Sequence, residues 1–281
     1  MGFDKNLLYE GLKYELFSKK TEEDADMNEM CNEFFIDCDG IPLHAKLDCP
    51  ERNGKAPLCI LIHGFTGNME EEHLKAVQKA LNELGIYVLR AEMYGHGKSG
   101  GEFKNHTLFK WITNALAVIS YAKQLDFVTD LYLCGHSQGG LLTMLAGAMC
   151  ADDLKAIIPL SPAWMIPEGT RKGTLLGLSI DPQHIPEMIK CDGWELSGDY
   201  VRTAQMIHAE DAIERYKGPV LIVHGDRDET VPFSYAQKAA QLYADAELVN
   251  ISGADHCFNG FTGELAAAVS DFFTKMITGG K

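Results

Sequence analysis

From residue 33 onward the apolar positions of the chain follow two alternating rhythms. Leu58–Ile62, Ile86–Ala91, Leu131–Cys134, Ala156–Leu160 and Val220–Val223 are short runs with almost no polar face. Strands of that kind are buried on both sides, as in a parallel sheet covered by helices. Between the runs, apolar residues recur every three or four positions, the helical period. That period predicts helices at Asn68–Leu84, Leu108–Leu125, Leu141–Cys150, Ser234–Tyr243 and Gly263–Ile277, with a last strand at Glu247–Ile251. Asn68 and Glu71 have the spacing of a capping box, and Gly85 stands where a helix stop belongs. Ahead of these, Phe34–Ile36 and Ile41–Leu47 flank Asp39-Gly40, a hairpin dipeptide. The alternation predicts an α/β fold with a mostly parallel, doubly wound sheet.

Two segments break the rhythm. In residues 1–30, Leu7, Leu8, Leu12 and Leu16 fall at helical spacing before the acidic stretch Glu22–Asp26. This reads as an N-terminal arm or helix; homodimerisation through it is allowed, though no residue demands it. Residues 162–216 lack a buried strand but hold four prolines, Trp164, Trp194, Tyr200 and a helix-like run, Tyr200–Arg215. They are expected to form a cap inserted between core segments 31–161 and 217–281. Its position in the chain puts it over the strand ends, where such sheets bind ligands.

The strongest chemical signal is Gly135-His136-Ser137-Gln138-Gly139, between a strand and a helix. A serine on so tight a turn stands clear of the backbone, and the helix behind it favours developing negative charge. A serine hydroxyl is a weak nucleophile and needs a base with an orienting acid. In folds with this elbow the acid and then the histidine follow the serine. His256 alone of ten histidines lies beyond the last strand. Asp228 and Asp226 compete for the acid in His224-Gly225-Asp226-Arg227-Asp228-Glu229-Thr230-Val231-Pro232, and the G-x-x-D-x-x-V-P pattern favours Asp228. An oxyanion hole needs two backbone N–H groups. Those of Gln138, after the serine, and Phe65, in His63-Gly64-Phe65-Thr66-Gly67, are the candidates.

Other chemistry is excluded or left without support. Gly95–Gly100 matches G-x-G-x-x-G, yet no acid ends a second strand about 20 residues on, so it reads as a supporting loop. Histidine spacing implies no metal, and no cofactor is called for. A formal charge of −15, from 25 basic and 40 acidic residues, disfavours nucleic acid and anionic membranes as partners. No apolar run reaches the roughly 18 residues that span a bilayer. Asp4 and Glu10 interrupt any signal-peptide core, and eight cysteines without C-x-x-C pairing read as free thiols. A cytoplasmic protein is expected.

HGFTG at 63–67, EMYGHGKS at 92–99, GHSQGG at 135–140, HGDRDETVP at 224–232 and GADHCF at 253–258 together resemble the serine α/β-hydrolases. More closely, the chain resembles the bacterial cinnamoyl (feruloyl) esterases, including Ser161-Pro162-Ala163 and His184-Ile185-Pro186 in the insertion. The likeness runs from about Phe35 to Ile277. It implies an α/β-hydrolase fold and hydrolysis of small hydroxycinnamate esters, with Ser137 acylated, His256 carrying the proton and Asp228 holding its tautomer. Trp164, Trp194 and Tyr200 are candidates to wall the planar acyl group. Monoacylglycerol lipase, thioesterase or serine aminopeptidase activity on this scaffold is the alternative reading, and a non-catalytic ligand-binding relative a further one.

Overall fold

The computed structural model describes residues 32–51, 54–191 and 193–279. The expected N-terminal arm lies outside them. An eight-stranded sheet runs in the order β1-β2-β4-β3-β5-β6-β11-β12, from β1 (Asn32–Cys38), β2 (Ile41–Asp48), β3 (Ala56–Ile62), β4 (Tyr87–Ala91), β5 (Val128–His136), β6 (Ala156–Leu160), β11 (Val220–Gly225) and β12 (Ala246–Ile251). Every pairing from β4 to β12 is parallel; β2 is antiparallel to both its neighbours. The β1–β2 turn places Asp39 at φ 52° and Gly40 at φ 81°, the pair of left-handed residues that a two-residue hairpin requires.

Alternate residues of each central strand enter two separate cores. Leu58, Ile60 and Ile62 of β3 join one, with α2 (Leu108–Ala122) and α3 (Gln138–Met149). Cys59 and Leu61 join the other, with α1 (Glu72–Glu83) and α8 (Thr262–Thr278), which follows α7 (Phe233–Leu242) and β12 in the chain. Both faces are therefore buried, which is why these strands carry no polar alternation. Arg90 in β4 is one exception: only 2% exposed, it reaches both Asp48 oxygens at 2.7 and 3.1 Å. A buried guanidinium persists only when paired in this way.

The helix α1 begins at Glu72, one turn later than the Asn68 spacing predicts. Asn68 instead forms a turn, its Oδ1 accepting Glu70 N–H at 2.9 Å and its carbonyl Glu71 N–H at 3.4 Å. By contrast α2 has a side-chain cap: Thr107 accepts Lys110 N–H at 3.2 Å.

Between β6 and β11 the chain leaves the sheet. Residues 162–216 form α4 (Ile166–Arg171), the hairpins β7–β8 (Thr174–Leu175, Leu178–Ser179) and β9–β10 (Met188–Cys191, Trp194–Ser197), then α5 (Gly198–Ala204) and α6 (Ala209–Arg215). The continuous helix expected at Tyr200–Arg215 is broken. Arg171 Nη1 takes the carbonyls of Gln205 and Ile207 at 3.2 and 2.5 Å, satisfying backbone that a helix would have paired internally. α6 packs on α3, so Gln138 to Ala148 are all buried.

Candidate active site

Ser137 lies between β5 and α3 at φ 56°, ψ −117°, a left-handed conformation that a side chain adopts only when its surroundings hold it there. Ser137 N–H donates to Leu160 O at 2.9 Å, and its carbonyl accepts from Leu141 and Ala163, each at 3.0 Å. The flanking glycines are a matter of space. A Cβ on Gly135 would stand 2.3 Å from Gly139 O, and one on Gly139 would stand 2.4 Å from His63 O.

Loops after β11 and β12 bring the partners. His256 Nε2 is 2.8 Å from Ser137 Oγ, and His256 Nδ1 is 2.7 Å from Asp228 Oδ2. Asp228 Oδ1 accepts Thr230 and Val231 N–H at 2.8 and 2.7 Å. Burial pushes the Asp228 carboxyl up, but hydrogen bonds from His224 and His256 and the Val231 N–H outweigh it. The group is held well below the usual carboxylate range. Asp226 stands outside the chain of bonds: exposed, it accepts Gly253 N–H at 2.7 Å and Asn250 Nδ2 at 3.3 Å, tying the two loops together. Asp226→Asn is therefore expected to keep kcat within about tenfold of wild type, since it touches loop order alone. Steady-state kinetics checks this, and a loss of a thousandfold would reopen the choice of acid.

Gln138 and Phe65, the expected oxyanion-hole donors, lie at the start of α3 and in the loop after β3. Gln138 is the first residue of α3, so its N–H has no intrahelical acceptor. The loop bearing Phe65 passes against the serine, since a Cβ on Gly64 would be 3.2 Å from Ser137 Cβ. His96, from the Gly95–Gly100 loop, braces it, with Nε2 2.7 Å from Phe65 O.

A family model described as serine aminopeptidase, S33, matches residues 55–189, and one described as TAP-like protein matches residues 178–277. Among curated relatives, the lysophosphatidylserine lipase ABHD12 of Danio rerio is 26% identical over 197 residues, 69% of this chain and 49% of that protein. Protein ABHD12B of Homo sapiens is 27% identical over 78% of this chain and 61% of its own length. The chain thus spans about half to three fifths of these curated relatives. Among solved structures, Est1E from Butyrivibrio proteoclasticus with ferulic acid bound is 55% identical, with a TM-score of 0.86 over 87% of this chain and 99% of that one. The chain belongs to the serine α/β-hydrolase family. Mouse α/β-hydrolase domain-containing protein 10, at 20% identity and TM-score 0.73, shares the fold.

In this α/β-hydrolase the three aromatics of segment 162–216 have different surroundings. Trp194, half-buried, meets the Phe65 ring edge-on at 5.2 Å. Tyr200 is fully buried and its hydroxyl donates to Gln138 Oε1 at 2.5 Å, so the phenol is spent on holding the residue after the serine. Trp164 is 1% exposed; its Nε1–H donates to Tyr235 O at 2.9 Å, and its ring lies under Lys238. Of the three, only Trp194 keeps appreciable exposed ring surface. Glu168, Arg171 and His184, polar residues of the same segment, are engaged with Lys172, the Gln205–Ile207 carbonyls and Asp181.

Two histidines of the site escaped the motif reading. His224 Nε2 lies 3.0 Å from Asp228 Oδ2 and 2.9 Å from Val231 O, giving the acid a second imidazole donor. His136 Nε2 donates to His256 O at 2.8 Å, pinning the loop that carries His256. Both stand beside motif residues, and only the folded loops give them a partner.

Burial also sets the acid stability of the hydrolase. It lowers His63 and His106 to about 3, with neighbouring histidine charge adding to the effect. Both are neutral when folded but take protons when unfolded below about 6.5, the ordinary value. Stability is then unaffected above that pH and falls as pH drops toward 3, each residue costing up to about 1.4 kcal/mol per pH unit. Melting temperatures should fall by several degrees from pH 7 to pH 5, and a flat profile would contradict neutral burial.

Proposed function

We propose that this protein hydrolyses carboxylic esters through an acyl-enzyme on Ser137, with hydroxycinnamates such as ferulate, p-coumarate or caffeate as the preferred acyl groups. The observation that carries the reading is the hydrogen-bonded chain Ser137–His256–Asp228 in a fold 55% identical to a ferulic-acid-bound neighbour. His256 Nε2 takes the Ser137 proton as Oγ attacks the ester carbonyl carbon. The resulting oxyanion accepts the N–H groups of Phe65 and Gln138. The C–O bond to the alcohol then breaks, and the alcohol leaves with the proton from His256. Water repeats the sequence on the acyl-enzyme and frees the acid. Asp228 fixes the proton on His256 Nδ1 and offsets the imidazolium charge.

Trp194, edge-on to Phe65 and partly open, supports a planar aromatic acyl group, because such rings favour edge-to-face neighbours at 4.5–7 Å. In this reading segment 162–216 is the cap that selects the acyl group. Lipase and thioesterase action draw on more distant likenesses, to relatives at 26% and 23% identity. Turnover of methyl ferulate, p-nitrophenyl butyrate, a monoacylglycerol and an aminoacyl anilide separates the readings. Methyl ferulate should lead in kcat/KM by at least about tenfold, or 1.4 kcal/mol. The reverse preference would remove the hydroxycinnamate assignment and leave the esterase one.

A further inference from the structure

Behind the His256 loop three side chains converge: Glu71 and His73, which the ester chemistry does not use, and the free Nδ1 side of His136. One ligand atom from each of Glu71, His73 and His136 lies within 4.8 Å of the others; the unpaired ones are Glu71 Oε2, His73 Nε2 and His136 Nδ1, the first two 3.9 Å apart. All three atoms are buried, and none has a hydrogen-bond partner among the described residues. His73 and His136 are 3% and 2% exposed, and their rings are 4.2 Å apart. Leaving such atoms unpaired costs about 1–3 kcal/mol each.

The hydrogen bonds decide which groups are acceptors. His136 uses Nε2–H on the His256 carbonyl at 2.8 Å, so its Nδ1 is a bare lone pair aimed into the cluster. Glu71 Oε2 is unpaired as well, its carboxyl pushed up by burial and held down in part by the Asn68 N–H. Burial keeps both imidazoles unprotonated, lowering His73 to about 4 and His136 well below its ordinary value. Gly67 leaves room for the carboxylate, since a Cβ there would overlap Glu71 Oε2.

We propose that Glu71, His73 and His136 form a binding site for a divalent transition-metal ion of the zinc class. Two histidines and a glutamate, with a fourth position for water, are a usual donor set for zinc. The His136 Nε2–H bond to a backbone carbonyl is the outer contact that orients a metal-bound imidazole. Bonds of 2.0–2.2 Å bring tetrahedral ligands to about 3.3–3.5 Å apart. The Glu71 side chain, 25% exposed, provides both the movement that closes the set and the route in from solvent. No histidine spacing rule reveals this site, because its ligands come from the turn before α1, the start of α1 and the end of β5.

The ion would sit on the far side of His136 from the His256 carbonyl, with the two histidine rings 4.8 Å apart. Its charge opposes the imidazolium that forms on His256, so zinc slows ester hydrolysis. This consequence rests on the proposed function; binding does not.

Isothermal titration of chelator-treated full-length protein with Zn²⁺ tests the site. One ion per chain is expected at micromolar zinc, weakened more than about tenfold by Glu71→Gln and by His73→Gln, and unchanged by His184→Gln on the exposed His184–Asp181 pair. Cobalt substitution of the wild-type protein should give the intense visible bands of a low-coordinate site, a readout independent of whether the variants fold. No binding, or binding indifferent to both variants, overturns the proposal in favour of a buried water bridging the three atoms. Zinc bound at these residues without slower methyl ferulate hydrolysis overturns the coupling alone.

Discussion

Ser137→Ala is expected to lower turnover of methyl ferulate by about 10⁶, or about 8 kcal/mol of transition-state stabilisation. The substitution removes one atom, Oγ, and with it the 2.8 Å bond to His256 Nε2. It leaves the elbow unchanged, because alanine keeps the Cβ that faces Gly64 and the backbone bonds to Leu160, Leu141 and Ala163 do not involve the hydroxyl. The φ of 56° is as strained for alanine as for serine. Melting temperature should therefore stay close to that of wild type while rate collapses. Purified Ser137→Ala retaining a hundredth of the wild-type rate would show that acylation occurs elsewhere.

That the serine could be found without a structure follows from how local its constraints are. The strand, the two glycines and the helix are consecutive, so the one stretch from Leu131 to Cys150 carries the whole arrangement. The same holds for the Asp39-Gly40 hairpin and for the continuous apolar strands, whose lack of alternation reports the double-sided core. His256 was legible through chain order, a coarser but still one-dimensional constraint. What the sequence hid depends on distant partners. Tyr200 reads as an aromatic of a ligand wall, yet its hydroxyl lies on Gln138, 62 positions away. Tyr200–Arg215 has helical composition, but Arg171 captures the carbonyls at its middle and splits it. His224 and His136 look like spacers within their motifs until the loops fold over them.

The choice between the two loop acids carries the next largest expected effect. Asp228→Asn should lower kcat by about 10⁴, or about 5 kcal/mol, with little change in KM. The carboxylate takes four donors: His256 and His224 on Oδ2, and the Thr230 and Val231 N–H groups on Oδ1. An amide has one oxygen and one NH₂, so it cannot satisfy both sides. With its oxygen toward Thr230 and Val231, the NH₂ faces His256 Nδ1 and forces the imidazole proton onto Nε2. A proton there points at Ser137 Oγ, and the base can no longer accept one. With the amide turned over, its oxygen accepts from both imidazoles, but the NH₂ meets two backbone N–H groups, donor against donor, which costs stability. The first arrangement preserves more bonds and should prevail, giving a folded protein with the wrong tautomer. Its signature is a low kcat that recovers partly as pH rises and hydroxide substitutes for the missing base. Near-normal kcat in Asp228→Asn, together with a large loss in Asp226→Asn, would move the acid to Asp226 and break the chain of bonds on which the proposed function stands.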